Sequence, residues 1–128
     1  MLLIVTILFI WGHSLFSKEA SAEESGFVVK ILELVFGTGN VSETLVRKLA
    51  HFIEYSALGA ELFVLFERYW LSAAHGLFVA LVDETIQLFV QRGTSVLDVW
   101  LDFSGVLFGA LIALLILKKI RQTQNAIK

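Results

Sequence analysis

The sequence predicts an all-α fold: a polytopic integral membrane bundle of four transmembrane helices, with a short amphipathic helix in the first outer loop. Three observations lead there. Hydrophobic residues make up 57% of the 128-residue chain, with a mean hydropathy of +0.79, against roughly 45–50% apolar residues in soluble domains. The apolar residues gather into runs close to the ~20 residues that cross a bilayer. The chain also contains no proline, so nothing forces a kink or break in those runs.

Composition excludes several function classes. Ten Lys plus Arg against twelve Asp plus Glu give a net charge of -2, so there is no basic surface for nucleic acid. The absence of cysteine removes disulfides, thiolate metal sites and a cysteine nucleophile.

In chain order, the first apolar run is 2–16, interrupted only by Thr6, Gly12, His13 and Ser14. It is long enough for a signal-peptide core and short for a spanning helix. Ala20-Ser21-Ala22 resembles a cleavage site, but no Lys or Arg precedes the run, which favours an uncleaved anchor. The outer loop 17–48 is polar at first, with Lys18, Glu19, Glu23 and Glu24. It then carries an apolar stretch, 27–36, whose polar residues Lys30 and Glu33 fall at i,i+3, the pattern of a helix lying in the interface or against the bundle.

Three further spans follow at 49–66, 71–90 and 96–117. Tyr69 and Trp70 make an interfacial aromatic pair, and 91–95 (Gln-Arg-Gly-Thr-Ser) supplies a tight turn. The joining loops are short, so neighbouring spans run antiparallel. The tail 118–128 carries Lys118, Lys119, Arg121 and Lys128 and no acid, which puts the C-terminus in the cytoplasm. Four spans then place the N-terminus there too. The expected location is the cell membrane, multi-pass, as one domain over 1–128.

Ionisable residues within these spans are the functional signal, because such groups are costly in hydrocarbon and normally face a bundle interior or an aqueous cavity. Counted from the outer ends at 1.5 Å per residue, His51 and Glu54 lie roughly 5–10 Å deep, Asp83, Glu84 and Gln87 roughly 6–13 Å, and Asp98 and Asp102 roughly 3–9 Å. Lys48, His51 and Tyr55 share one helical stripe, and Arg47 and Glu54 share the adjoining one. Glu84 and Gln87 are i,i+3; Asp98 and Asp102 are i,i+4. Arg92 sits in the turn above. These residues outline an outward-facing pocket of acids, one imidazole and several cations. The competing account is interhelical glue, in which pairs such as Arg92 with Asp98 or His51 with Glu84 fix packing at about 1 kcal/mol each. Gly105 and Gly109 form a GxxxG, read as a close helix contact. Spacing alone assigns no role to Glu61 or His13.

The same stretches resemble a family. Arg47-Lys48-Leu49-Ala50-His51-Phe52-Ile53-Glu54-Tyr55-Ser56-Ala57-Leu58-Gly59 is similar to the RK-x-x-HF-x-EY-x-x-LG signature of the VanZ-like membrane proteins, named for a teicoplanin-resistance protein. Asp83-Glu84-Thr85-Ile86-Gln87-Leu88-Phe89 resembles their DE-x-x-Q-x-F segment. Arg92, followed by Asp98-Val99, Asp102, Gly105 and Gly109, resembles their final segment, although many members place a Pro-Gly turn before the arginine and this chain has Val90-Gln91. The resemblance implies a four-helix membrane protein, linked in its namesake to tolerance of lipoglycopeptide antibiotics. It supplies motif residues and no reaction.

Three function classes follow. In the first, Arg47, Lys48 and Arg92 hold the anionic head group of an envelope lipid or amphiphile, for which arginine's planar fork of donors is suited. Tyr55, the acids and Gln87 contact the rest. The partners are then membrane lipids, with a lipid-linked envelope precursor or a lipoglycopeptide as further candidates. In the second, a membrane enzyme uses His51 as general base, oriented by Glu54 or Glu84, with Arg92 and Lys48 stabilising developing charge. A metal-dependent form would draw on His51, Glu54, Glu84 and Asp98. With one outer histidine and no cysteine, the sequence assigns no metal and no cofactor. The third class is a structural bundle or assembly partner.

Overall fold

A computed structural model describes residues 1–15, 29–30, 42–90 and 95–126. These form four helices: α1 (Leu2–Ser14), α2 (Glu43–Phe66), α3 (Tyr69–Phe89) and α4 (Val96–Ala126). Of the expected loop helix at 27–36, only Val29 and Lys30 fall among the described residues, and both are helical. The turn at 91–94, including Arg92, lies outside them.

Two of the helices, over Thr44–Phe66 and Val96–Ala126, are long and apolar enough to cross a membrane. The other two pass less of that test, for different reasons. α1 is apolar but has 13 residues, about 20 Å of helix. α3 has 21 residues and so the length, but Asp83, Glu84 and Gln87 lower its hydropathy.

Helix bounds differ from the expected spans at the start of α2 and at the end of α4. α2 starts well before residue 49: Ser42 takes the N-cap position with extended backbone, and its carbonyl accepts from the N–H groups of Leu45 and Val46 at 2.9 and 3.1 Å. Arg47 and Lys48 are therefore helical and project from the same rod as His51. At the other end, the expected tail is helical through Ala126, because Lys118 to Gln124 contains good helix formers and no Gly or Pro.

The bundle has the polarity of a membrane protein. Its outer face is rich in large apolar side chains: Ile4, Leu8 and Phe9 on α1, Ile53 and Leu65 on α2, Phe78 and Phe89 on α3, and Trp100 and Leu115 on α4 are all exposed. Inside, Ser14, His51, Ser72, Asp83 and Asp102 are buried beside Ile10, Tyr55, Leu58, Val79 and Val106. Lipid tolerates that outer surface and water does not.

α4 packs chiefly on α2, and α3 on both. Glycine makes the α2–α4 contact close. A Cβ at Gly109 would overlap the Ser56 carbonyl oxygen, one at Gly59 would overlap the Val106 carbonyl oxygen, and one at Gly105 would lie 2.7 Å from the Phe52 carbonyl oxygen. These pairings also make α2 and α4 parallel, with α3 returning between them. The reversal from α2 to α3 takes Glu67 and Arg68 alone, with Glu67 left-handed at φ 52 and its N–H bonded to the Phe63 carbonyl at 2.8 Å. The Tyr69 hydroxyl donates to the Leu107 carbonyl oxygen at 3.0 Å, tying the start of α3 to α4.

α1 is held by polar contacts that reach across the bundle. The Thr6 hydroxyl donates to Glu61 Oε1 at 2.9 Å, and the Trp11 indole N–H donates to the Val79 carbonyl oxygen at 3.5 Å. Ile10, 1% exposed, fills the core between them.

Candidate functional site

Three helix ends meet at one side of the bundle: the start of α2, the end of α3 and the start of α4. Between them is a cavity of about 280 Å³ lined by Thr44, Arg47, Lys48, His51, Gln87, Asp98, Leu101 and Asp102. The i,i+3 and i,i+4 spacings explain the convergence. Thr44, Arg47, Lys48 and His51 climb one face of α2, while Asp98, Leu101 and Asp102 climb one face of α4.

Arg47, Lys48 and Asp98 stand at the upper level, and His51 and Asp102 lie below. Lys48 Nζ lies 2.9 Å from Asp98 Oδ1, with both side chains partly exposed. The Nε of Arg47 is buried and has no hydrogen-bond partner among the described residues. One turn deeper, His51 Nδ1 lies 3.8 Å from Asp102 Oδ1, and the His51 ring stacks on that of His13, centroids 5.9 Å apart.

Beneath the cavity the site is sealed. His51 is 9% exposed, Asp102 3%, and Asp83 and Tyr55 0%. One ligand atom from each of His51, Asp83 and Asp102 falls within 4.8 Å of the other two. The Gln87 amide donates to Asp83 Oδ2 at 3.1 Å and to the Ser14 hydroxyl oxygen at 3.4 Å. Asp83 Oδ1 and the Tyr55 hydroxyl are both buried, and the Tyr55 and Ser14 hydroxyls both face the Asp83 carboxylate.

The expected site residues divide accordingly. Arg47, Lys48, His51, Gln87, Asp98 and Asp102 line the cavity, and Asp83 and Tyr55 lie just below it. Glu54 turns away, its Oε1 3.4 Å from His13 Nδ1. Glu84 accepts the Ser95 backbone N–H at 2.6 Å, which fastens the start of α4 to α3. Asp98 meets Lys48, so among the described residues its partner is a lysine of α2. The set His51, Glu54, Glu84 and Asp98 thus does not gather at one point; His51, Asp83 and Asp102 do. The reason is helix rotation. Glu54 and Glu84 lie on the flanks of their helices, one toward α1 and the other toward Ser95 ahead of α4.

Sequence reasoning left out His13, Ser14 and Thr6, the polar members of α1. Their one signal was that they interrupt an otherwise apolar run, which does not say what they face. Glu61, which spacing left without a role, receives the Thr6 hydroxyl. His75 sits away from the site, with Nδ1 2.8 Å from the Leu71 carbonyl oxygen and its ring 4.6 Å from that of Phe66.

No curated protein and no solved structure shows a significant match to this chain. A family model does, described as VanZ/LLP1, and it covers residues 1–117, from the first residue of the bundle to the last apolar turn of α4 and so through every side chain of the cavity. The chain belongs to the VanZ/LLP1 family of membrane proteins.

Proposed function

We propose that the protein is a four-span membrane protein whose cavity opens to the outer leaflet, binds the anionic head group of an envelope lipid or lipid-linked precursor, and thereby lowers the action of teicoplanin-type lipoglycopeptides. The observation that carries this reading is the pair of cations, Arg47 and Lys48, in the cavity wall at the start of α2. A helix end is the level at which lipid phosphates lie, and the hydroxyls of a head group held there can meet the Gln87 amide and the acids of the same cavity. Arg47 offers a buried donor with no partner among the described residues, suited to a phosphate oxygen. Lys48 is paired with an acid, and an incoming phosphate can replace that acid at little net cost because the pair is partly exposed. The lipid-facing apolar surface delivers a ligand whose tails stay in the bilayer. The basic end of α4, with Lys118, Lys119 and Arg121, supports a cytoplasmic C-terminus, and with four spans a cytoplasmic N-terminus.

The test is lipid retention by the purified protein. In mixed micelles of phosphatidylglycerol and phosphatidylcholine, the wild-type protein is expected to retain phosphatidylglycerol selectively, and Arg47→Ala with Lys48→Ala to lose the preference. The double variant should also lose protection against teicoplanin in a sensitive bacterial host. Equal retention of both lipids by the wild-type protein rules the reading out.

One observation favours an enzyme instead: the His51 imidazole within ion-pair distance of the buried Asp102 carboxylate. That arrangement suits a general base for a lipid-linked substrate, with Asp102 in the orienting place where the sequence suggested Glu54 or Glu84. Release of a water-soluble product from an added lipid-linked precursor would distinguish it from binding alone.

A further inference from the structure

We infer that His51, Asp83 and Asp102 form a binding site for one divalent transition cation, of the manganese or zinc class, in the floor of the cavity. Their ligand atoms come from three different helices, α2, α3 and α4, and lie within 4.8 Å of one another. Around an ion with bonds of about 2.0–2.2 Å, neighbouring ligand atoms stand about 3–3.5 Å apart. Side-chain movements of about 1 Å close the set onto a single centre. One imidazole and two carboxylates, with no thiolate, suit manganese or zinc.

Two features hold Asp83 in place from outside the cluster. The Gln87 amide donates to Asp83 Oδ2 at 3.1 Å, which orients the carboxylate. Tyr55, on the same stripe of α2 as His51 and fully buried, brings its hydroxyl to the same carboxylate. Outer donors of this kind fix the orientation of a carboxylate that ligates a metal.

Charge gives the same answer. Two carboxylates and one divalent cation sum to zero, whereas net charge inside an apolar bundle is penalised. Three protein ligands leave coordination positions open, and because His51 and Asp102 also line the cavity, those positions face it. The site goes beyond head-group binding and stands without it, since metal uptake can be measured in the absence of lipid.

The experiment uses the full chain in detergent, stripped with a chelator and titrated with manganese chloride, then separately with zinc chloride. The expected result is saturable uptake of one ion per chain, weakened about 10–100-fold or more in Asp83→Asn and in Asp102→Asn and unchanged in Glu61→Gln, an acid of α2 outside the cluster. Manganese bound to the wild-type protein should show pulsed-EPR coupling to one imidazole nitrogen, a readout that needs no variant to fold. Absence of stoichiometric uptake by the folded wild-type protein overturns the site. So does binding without imidazole coupling, or uptake that both asparagine variants retain.

Discussion

Gly109 lies against the backbone carbonyl oxygen of Ser56, so close that any side chain at this position would overlap it. Backbone meets backbone where α2 and α4 cross, and Gly59 and Gly105 repeat the contact on either side. The polar cluster rests on this contact, because His51 and Asp102 come within reach of each other only if their helices approach this closely.

Gly109→Ala is therefore expected to destabilise the bundle by about 1–3 kcal/mol, as overpacking does, and Gly109→Leu to abolish folded protein. Gly12 in α1 is the control. A Cβ there meets nothing within 4 Å, so Gly12→Ala should be neutral or stabilising by up to about 1 kcal/mol through helix propensity. Thermal unfolding in a single detergent measures both. Equal effects at the two glycines would mean that α2 and α4 do not meet backbone to backbone at Gly109.

The second prediction concerns the anchoring of α1. Thr6→Val removes the donor to Glu61 Oε1, whose carboxylate already has Oε2 buried without a partner among the described residues. Stranding an acceptor in this way costs about 1–3 kcal/mol, whereas removing both partners together is nearly neutral. Thr6→Val should therefore be less stable than the wild-type protein, and Thr6→Val with Glu61→Leu should recover most of the loss. A double variant whose loss is the sum of the single ones would show the two residues to be uncoupled.

The third prediction is topological. The chain has no cysteine, so single cysteines can be introduced without background. With impermeant thiol reagents on intact cells, Ser42→Cys and Ser95→Cys are expected to label and Gln124→Cys to label only after lysis. Labelling at 124 and not at 95 would move the cavity to the cytoplasmic leaflet.

Much of the cavity wall was legible in the sequence because its residues follow one helical stripe each. Thr44 aside, the α2 wall is the Arg47, Lys48 and His51 set, and the α4 wall contains the i,i+4 pair Asp98 and Asp102. The close glycine contact was legible for the same reason, as a spacing within one helix. Spacing cannot give the rotation of one helix against another, and that rotation decides the partners. It sends Glu54 to His13, Glu84 to the Ser95 N–H and Asp98 to Lys48, and it chooses Asp83 over Glu84 for the buried cluster although the two are adjacent in the chain. α1 was opaque because it is apolar on almost every side, so no periodicity tells its packed face from its lipid face.

The length of α4 has a mechanical consequence. Its 31 residues run unbroken for about 46 Å, without a proline to act as a joint. Asp98 and Asp102 ride on one end of this rod, and Arg121 grips Glu67 at 2.7 Å near the other, beside the two-residue turn that joins α2 to α3. The glycine contact at Gly105 and Gly109 holds the rod to α2 near its middle, so it can act as a lever about that point. When an occupant of the cavity pushes the upper end outward, the lower end swings the other way and strains the exposed Arg121–Glu67 pair, so a spin label at Gln124 should register the state of a cavity that it never touches.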